Sequence, residues 1–344
     1  MKDIRSLSKE ELQAALKELG EPSFRANQIY EWLWKKSAAS FDEMTNLSKD
    51  LREKLSAAFS FSKVKEKIVQ NSSDGTIKIG MELFDGRVIE GVMIPDKERN
   101  TACVSSQVGC SLACKFCATG FLKRDRNLSA GEIYDQIVLL NKNAQQHTGK
   151  GLTNIVYMGM GEPLLNYDNV MDSIRYLTSP TGLNISQKRI TVSTSGVARG
   201  IMRLADENMN FKLALSLHAA NDEKRNEIMD INRSNPIEML VEALNYFYEK
   251  TGNKITFEYI LLDKFNDTLK DAEELYQLTK KVPAFVNIIE YNAVDFVNYK
   301  KSSSEKRNAF VNYLREKNVN VAVRRSRGKD IDAACGQLAN KHGE

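Results

Sequence analysis

Three cysteines, Cys110, Cys114 and Cys117, fall within the stretch CSLACKFCATG of a 344-residue chain that holds five. Thiolates are soft ligands that take zinc or iron–sulfur clusters. A closed structural zinc site needs a fourth Cys or His close by, commonly from a second C-x-x-C pair. Of the three histidines, His147, His218 and His342, none stands at finger spacing from another ligand. Three thiolates suit an iron–sulfur cubane with one iron left open, and an open metal position is where chemistry happens. A zinc knuckle is the competing structural reading. The remaining cysteines, Cys103 and Cys335, lie far apart, and isolated thiols commonly pack as small buried hydrophobes. An odd cysteine number argues against a secreted disulfide scaffold and for a reducing compartment.

The elements that position these thiols are legible from periodicity. Between about residues 7 and 60 apolar positions recur at helical spacing, as in Leu12, Leu16 and Leu19, and Ser8 with Glu11 forms a capping-box pattern. Residues 64–100 change to strand texture, with SDG and DG as turn signals, which predicts a three-stranded meander. Beyond residue 100 strands and amphipathic helices alternate. Strands are expected in TACVSSQ, NIVYMGMG, RITVSTSG, KLALSLH, KITFEYILL and AFVNIIEY, with a last one in VNVAVRR. Ser129 with Glu132 caps the first intervening helix, and Asn235 with Pro236 opens the fourth. Six βα units imply a parallel sheet with right-handed crossovers. Six fall short of a closed eightfold barrel, which favours an α/β partial (β/α)6 barrel over a doubly wound sheet. The expected organisation is a helical accessory domain at 1–62, a β-meander at 63–98, the partial barrel at 99–330 and a tail at 331–344. Functional residues should gather where the parallel strands end. Cys110, Cys114 and Cys117 follow the first such strand, Gly161 and Glu162 the second, Ser193 to Gly196 the third, and Ser216 and His218 the fourth.

The opening stretch MKDIRSLSKEELQAALKELG is charged and lacks the apolar run of a signal peptide, and the longest apolar runs are strand-sized. A soluble, cytoplasmic protein with no membrane partner is expected. The net charge of +4 discriminates little, but Lys123, Arg124 and Arg126 follow the thiols, and Arg324, Arg325, Arg327 and Lys329 precede the last cysteine. Such runs either hold a nucleic-acid backbone or form a solvated face.

The thiol spacing Cys110-x-x-x-Cys114-x-x-Cys117 after the first strand of a βα fold resembles the signature of the radical S-adenosylmethionine enzymes. Phe116 beside the last thiol fits, and MGMGEPL at Met158–Leu164 is similar to that superfamily's glycine-glutamate-proline motif. Within it, SSQVGCSLACKFCATG, MGMGEPLLN, SLHA and DIDAACGQL resemble the RNA adenine C2-methyltransferases known as RlmN. The resemblance implies a 4Fe–4S cluster held by Cys110, Cys114 and Cys117. It also implies two molecules of S-adenosylmethionine per turnover, with Gly161, Glu162, Ser193, Ser216, Leu217, His218 and Asn292 as their contacts.

It further implies that one cofactor molecule methylates Cys335. The second yields a radical that takes a hydrogen from this S-methyl group, and the resulting carbon radical adds to adenine C2. That detour has a chemical reason: C2 is electron-poor and has nothing to offer a sulfonium methyl. The implied release has Glu90 of RVIEGVMIP accepting the C2 proton while Cys103 attacks Cys335 to form a disulfide, with Arg324 or Arg325 favouring the thiolate. Strand alternation by itself would turn Glu90 outward. The implied substrates are an adenosine of 23S rRNA near the peptidyl-transferase centre and the adenosine next to the anticodon in tRNA. A flavodoxin or ferredoxin would donate electrons, and a monomer is expected. Two alternatives remain from the residues: an adenine C8-methylating relative of the antibiotic-resistance type, against which GEPLLN argues, and a non-catalytic iron–sulfur or zinc RNA-binding protein.

Overall fold

Three short helices open the chain: α1 (Lys9–Glu18), α2 (Arg25–Trp34) and α3 (Lys49–Ala58). The structure, a computed structural model, describes residues 1–207, 209–295 and 297–339; the end of the tail, His342 included, lies outside the described residues. At α1 the Ser8 hydroxyl accepts the Glu11 N–H and the Glu11 carboxylate accepts the Ser8 N–H, so the capping box forms as its spacing predicts. Leu12, Leu16, Ile29, Leu33, Leu51 and Leu55 are buried. These helices pack on the next unit through helices α4 (Ala130–Thr148) and α5 (Tyr167–Thr178). The Trp34 ring stacks on Tyr176 with centroids 3.8 Å apart, and buried Arg5 pairs with Asp135 at 2.7 Å.

Ten strands follow in a single sheet whose spatial order is the order of the chain. They are β1 (Lys65–Asn71), β2 (Ile77–Glu82), β3 (Val88–Asp96), β4 (Arg99–Cys103), β5 (Asn154–Tyr157), β6 (Ile190–Thr194), β7 (Lys212–Ser216), β8 (Ile255–Leu261), β9 (Ala284–Glu290) and β10 (Val321–Arg324). The first three are the expected meander, turning at Gly75 and Gly86, both with positive φ. Strand β4 pairs antiparallel with β3 and parallel with β5, so the meander and the barrel strands share one sheet. From β4 to β10 every pairing is parallel.

The crossovers run through α4, α5, α6 (Ala198–Asp206), then α7 (Asp222–Ile228) with α8 (Ile237–Thr251), then α9 (Leu269–Lys281) and α10 (Ser304–Glu316). Helix α7 has no counterpart in the sequence reading because its seven residues are mostly polar and too short to show a period. At α8 the sequence expectation needs amending. Pro236 precedes the first turn, but the Asn235 side chain accepts the Ala198 N–H of α6 and does not cap α8. Alternation along β8 sets the two faces of the sheet: Phe257, Tyr259 and Leu261 join the core under the helices, while Glu258 and Ile260 face the concave side.

Candidate active site

The thiols sit on the loop that leaves β4. One short antiparallel strand pair closes it, Gln107–Val108 against Arg126–Asn127. Cys117 N–H donates to Cys114 O at 3.2 Å and Gly120 N–H to Cys117 O at 3.0 Å, which coils the loop tightly. A side chain at Gly120 would stand 2.7 Å from Cys114 O, so only glycine fits there. Leu112, Cys114, Phe116, Ile228, Met229, Ile260, Leu262 and Tyr291 form an apolar cluster beneath the loop.

Cys110, Cys114 and Cys117 all line one cavity at the carboxyl ends of the parallel strands. Burial pushes their thiols up, Cys110 to about 11, so in the free chain they are protonated and a bound metal would displace the protons. Among the described residues no three His, Cys, Asp or Glu side chains are spaced around a single ion. Three thiols on one loop, all lining that cavity, fit a cubane in which three of the four irons would each take one of them.

Across the cavity lie the ends of β5, β6 and β7. Gly161 holds φ +92°, and a Cβ there would meet Gln107 Cβ at 2.5 Å. Gln107 Oε1 accepts the Glu162 N–H at 2.9 Å, and the buried Glu162 carboxylate accepts N–H groups of Leu164 at 3.0 Å and Ser195 at 2.7 Å. Burial raises the Glu162 carboxyl, and those N–H groups oppose the rise. His218 has positive φ, packs edge-on to Phe116 and accepts the Ile260 N–H on Nδ1 at 3.1 Å. Burial, with Arg225 nearby, lowers it to about 3, so the ring is neutral with its proton on Nε2. Arg225, from the unforeseen α7, is fully buried and donates to the carbonyls of Ser195, Ser216 and Leu217, tying the β6 and β7 ends together.

The tail brings the fifth thiol. Gly336 O accepts the Ala118 N–H at 2.7 Å, Leu338 O accepts the Thr119 hydroxyl at 2.6 Å and Cys335 O accepts from Asn292 Nδ2 at 3.2 Å. Cys335 and Cys103 thereby line the same cavity as the three loop thiols, and both are free thiols. Cys335 has accessible surface because it faces the cavity, yet protein surrounds it; desolvation raises both thiols, Cys103 to about 12. Arg324 lowers each in part, so the cation expected to favour thiolate is present but burial outweighs it.

Of the residues expected at the site, Gly161, Glu162, Ser193, Ser216 and His218 line the cavity. Leu217 is buried beside it, with its N–H on Glu258 O, and Asn292 reaches it only through the tail. Glu90 departs from the outward orientation that alternation predicts. It is buried, its carboxylate 3.1 Å from Lys78 Nζ and accepting the Ala339 N–H at 2.9 Å, because the tail covers this face of β3. The basic run also needs correction. Arg126 is held by Asp85 at 2.6 Å and Glu132 at 2.8 Å, and Arg324 faces the thiols, while Lys123, Arg124, Arg325 and Arg327 stay exposed. Arg324 stands beside the thiols as one of the two cations expected there, whereas Glu258 is a cavity residue that motif reading missed; a lone glutamate in the apolar strand ITFEYIL was the available signal.

An open sheet with a three-thiol loop after its first parallel strand and a Gly-Glu-Pro turn after its second defines a radical S-adenosylmethionine enzyme. Residues 104–279 match the family model described as the radical SAM superfamily, and residues 2–60 match the ribosomal RNA large subunit methyltransferase N-terminal domain. The chain is 55% identical over 340 residues to a protein of Cytophaga hutchinsonii named "Probable dual-specificity RNA methyltransferase RlmN", covering 99% of this chain and 93% of that one. A Streptococcus pyogenes protein of the same name is 45% identical, with 98% and 95% covered. The solved structure of a radical SAM methyltransferase from Sphaerobacter thermophilus superposes with a TM-score of 0.92 at 41% identity, covering both chains fully. This chain belongs to the RlmN family of radical S-adenosylmethionine RNA methyltransferases, and a 4Fe–4S cluster and S-adenosylmethionine are its cofactors.

Proposed function

We propose that this enzyme methylates C2 of adenosine in 23S rRNA and in tRNA, using Cys335 as a covalent methyl carrier. The observation that supports this most directly is the meeting of Cys103 and Cys335, from opposite ends of the catalytic unit, in the cavity lined by Cys110, Cys114 and Cys117. Both are free thiols in that pocket, as a methyl carrier and the thiol that attacks it must be. When bound, the cluster supplies the electron that splits S-adenosylmethionine into methionine and a 5′-deoxyadenosyl radical.

In this reading Cys110, Cys114 and Cys117 hold the cluster. Gly161, Glu162, Ser193, Ser216, Leu217, His218 and Asn292 orient the cofactor, with Glu162 fixed by backbone donors and neutral His218 offering Nε2–H. Cys335 carries the methyl carbon to the base, Glu90 takes the C2 proton once the tail withdraws Ala339 from its carboxylate and opens it to the cavity, and Cys103 attacks Cys335 sulfur to free the product. Residues 1–62 form the accessory domain, 63–98 the meander, 99–330 the catalytic barrel and 331–344 the carrier tail. Exposed Lys123, Arg124, Arg325 and Arg327 meet the RNA backbone, and the target base leaves its stack to reach the cavity. The enzyme works as a cytoplasmic monomer fed by a flavodoxin or ferredoxin; no described helix is long and apolar enough to cross a membrane.

The test is anaerobic reconstitution followed by nucleoside mass analysis of treated rRNA and tRNA. 2-Methyladenosine supports the reading; 8-methyladenosine, or a colourless protein with one tight zinc and no product, overturns it.

A further inference from the structure

Methylating a thiol releases a proton, and the cavity around Cys335 contains few groups able to receive it. Glu162 has both oxygens on backbone N–H groups. The Nδ1 of His218 already accepts the Ile260 N–H. Glu90 is engaged by Lys78 and Ala339 and does not line the cavity. Glu258 differs from all three. It is 4% exposed, it lines the cavity with Cys335, and its Oε2 has no hydrogen-bond partner. Its other oxygen accepts from Asn287 Nδ2 at 3.0 Å, which fixes the carboxylate plane. A buried carboxylate oxygen left without a donor is costly, and the cost is relieved when that oxygen acquires a proton or a ligand.

We propose that Glu258 is the general base that takes the Sγ proton of Cys335 as that thiol is methylated. This rests on the reading of Cys335 as the methyl carrier. In the step, the Cys335 S–H bond breaks and its proton passes to Glu258 Oε2. The electron pair it leaves forms the Sγ–CH3 bond, and the methyl–sulfonium bond breaks with its pair leaving on S-adenosylhomocysteine. No electron enters from outside. A carboxylate and a sulfonium, both charged, become a neutral acid and a neutral sulfide, a change that a poorly solvating cavity favours.

Ser216 on β7 and Asn287 on β9 flank Glu258, Arg324 on β10 and Cys335 on the tail interact with its charge, and Cys103 on β4 lines the same cavity. Burial raises the Glu258 carboxyl, strengthening it as a base, and Arg324 and Asn287 temper the rise. Its charge in turn raises the Cys335 thiol.

That last effect gives the test opposite signs. In the cluster-loaded full chain, Glu258→Gln should slow methyl transfer to Cys335 by roughly a hundredfold at neutral pH and saturating S-adenosylmethionine, read as S-methylcysteine by peptide mass spectrometry. S-adenosylmethionine affinity by equilibrium dialysis should be unchanged, and Glu258→Asp should recover part of the rate. Iodoacetamide labelling of Cys335 without S-adenosylmethionine should become faster, since the opposing charge is gone. Methyl loading of the Gln variant at the wild-type rate overturns the inference. So does a deficit confined to affinity, or loading and labelling that slow together. If wild-type Cys335 acquires no methyl, the carrier reading itself fails, and the inference with it.

Discussion

Replacing Gly161 by alanine tests whether the Gly-Glu-Pro turn is built by backbone geometry. The residue holds φ +92°, where a side chain costs about 1–2 kcal/mol before any contact is considered. The added Cβ would also stand 2.5 Å from Gln107 Cβ and 2.9 Å from its backbone nitrogen, so Gln107 must move. Gln107 is the residue that accepts the Glu162 N–H and donates to Asn127 Oδ1 at 2.8 Å. Losing those two hydrogen bonds costs about 1 kcal/mol each. The expected destabilisation is about 3 kcal/mol, read as a lower urea midpoint with an unchanged slope. Because the displaced segment faces the cofactor side of the cavity, S-adenosylmethionine affinity should fall as well, by about tenfold for each 1.4 kcal/mol not relaxed elsewhere. A variant within about 0.5 kcal/mol of wild type that binds the cofactor normally would refute the reasoning, since it would mean the turn tolerates a Cβ and the glycine has no geometric role.

Cys103→Ala should accumulate a protein–RNA adduct visible as a shifted band on denaturing gels, whereas Cys335→Ala should show no methylated thiol by mass spectrometry; full turnover by either refutes the two-thiol scheme. Replacing Arg124 and Arg327 together by alanine should reduce the slope of log K for RNA against log salt by about 1.4–1.8, if each meets one phosphate. Arg126→Ala should instead lower the unfolding midpoint, because it removes ion pairs to Asp85 and Glu132. Acid should destabilise the fold through His218, whose folded value of about 3 lies below its ordinary 6.5. The unfolded chain then binds the extra proton, so stability is full above pH 6.5 and falls by about 1.4 kcal/mol per unit as pH drops toward 3. Denaturation of His218→Gln across that range should show a flatter profile.

The order of elements was legible because each is written locally. Capping pairs such as Ser8 with Glu11 and Ser129 with Glu132 form as their spacing predicts. Strands and helices beyond residue 100 fall where periodicity puts them, since a strand buried on both faces and an amphipathic helix carry different repeats. The short polar α7 escaped, and with it Arg225, because seven residues hold no detectable period. Glu90 and Glu258 show the deeper limit. Each is a single glutamate in an apolar strand, and alternation tells only that neighbours point the other way. Whether such a carboxylate meets water, Lys78 or a thiol depends on what the remainder of the chain lays over that face.

The amino-acid order by itself determined the ligand chemistry, because three soft donors in eight positions act within one loop whatever surrounds them. It also determined the βα alternation and the glycine-bearing turns at strand ends. Tertiary structure alone decided the company each reactive group keeps. Docking the tail on the thiol loop brings Cys335 to Cys103 and hands Ala339 to Glu90. Those meetings join residues hundreds of positions apart, and they follow from strand register and packing, which no local pattern encodes.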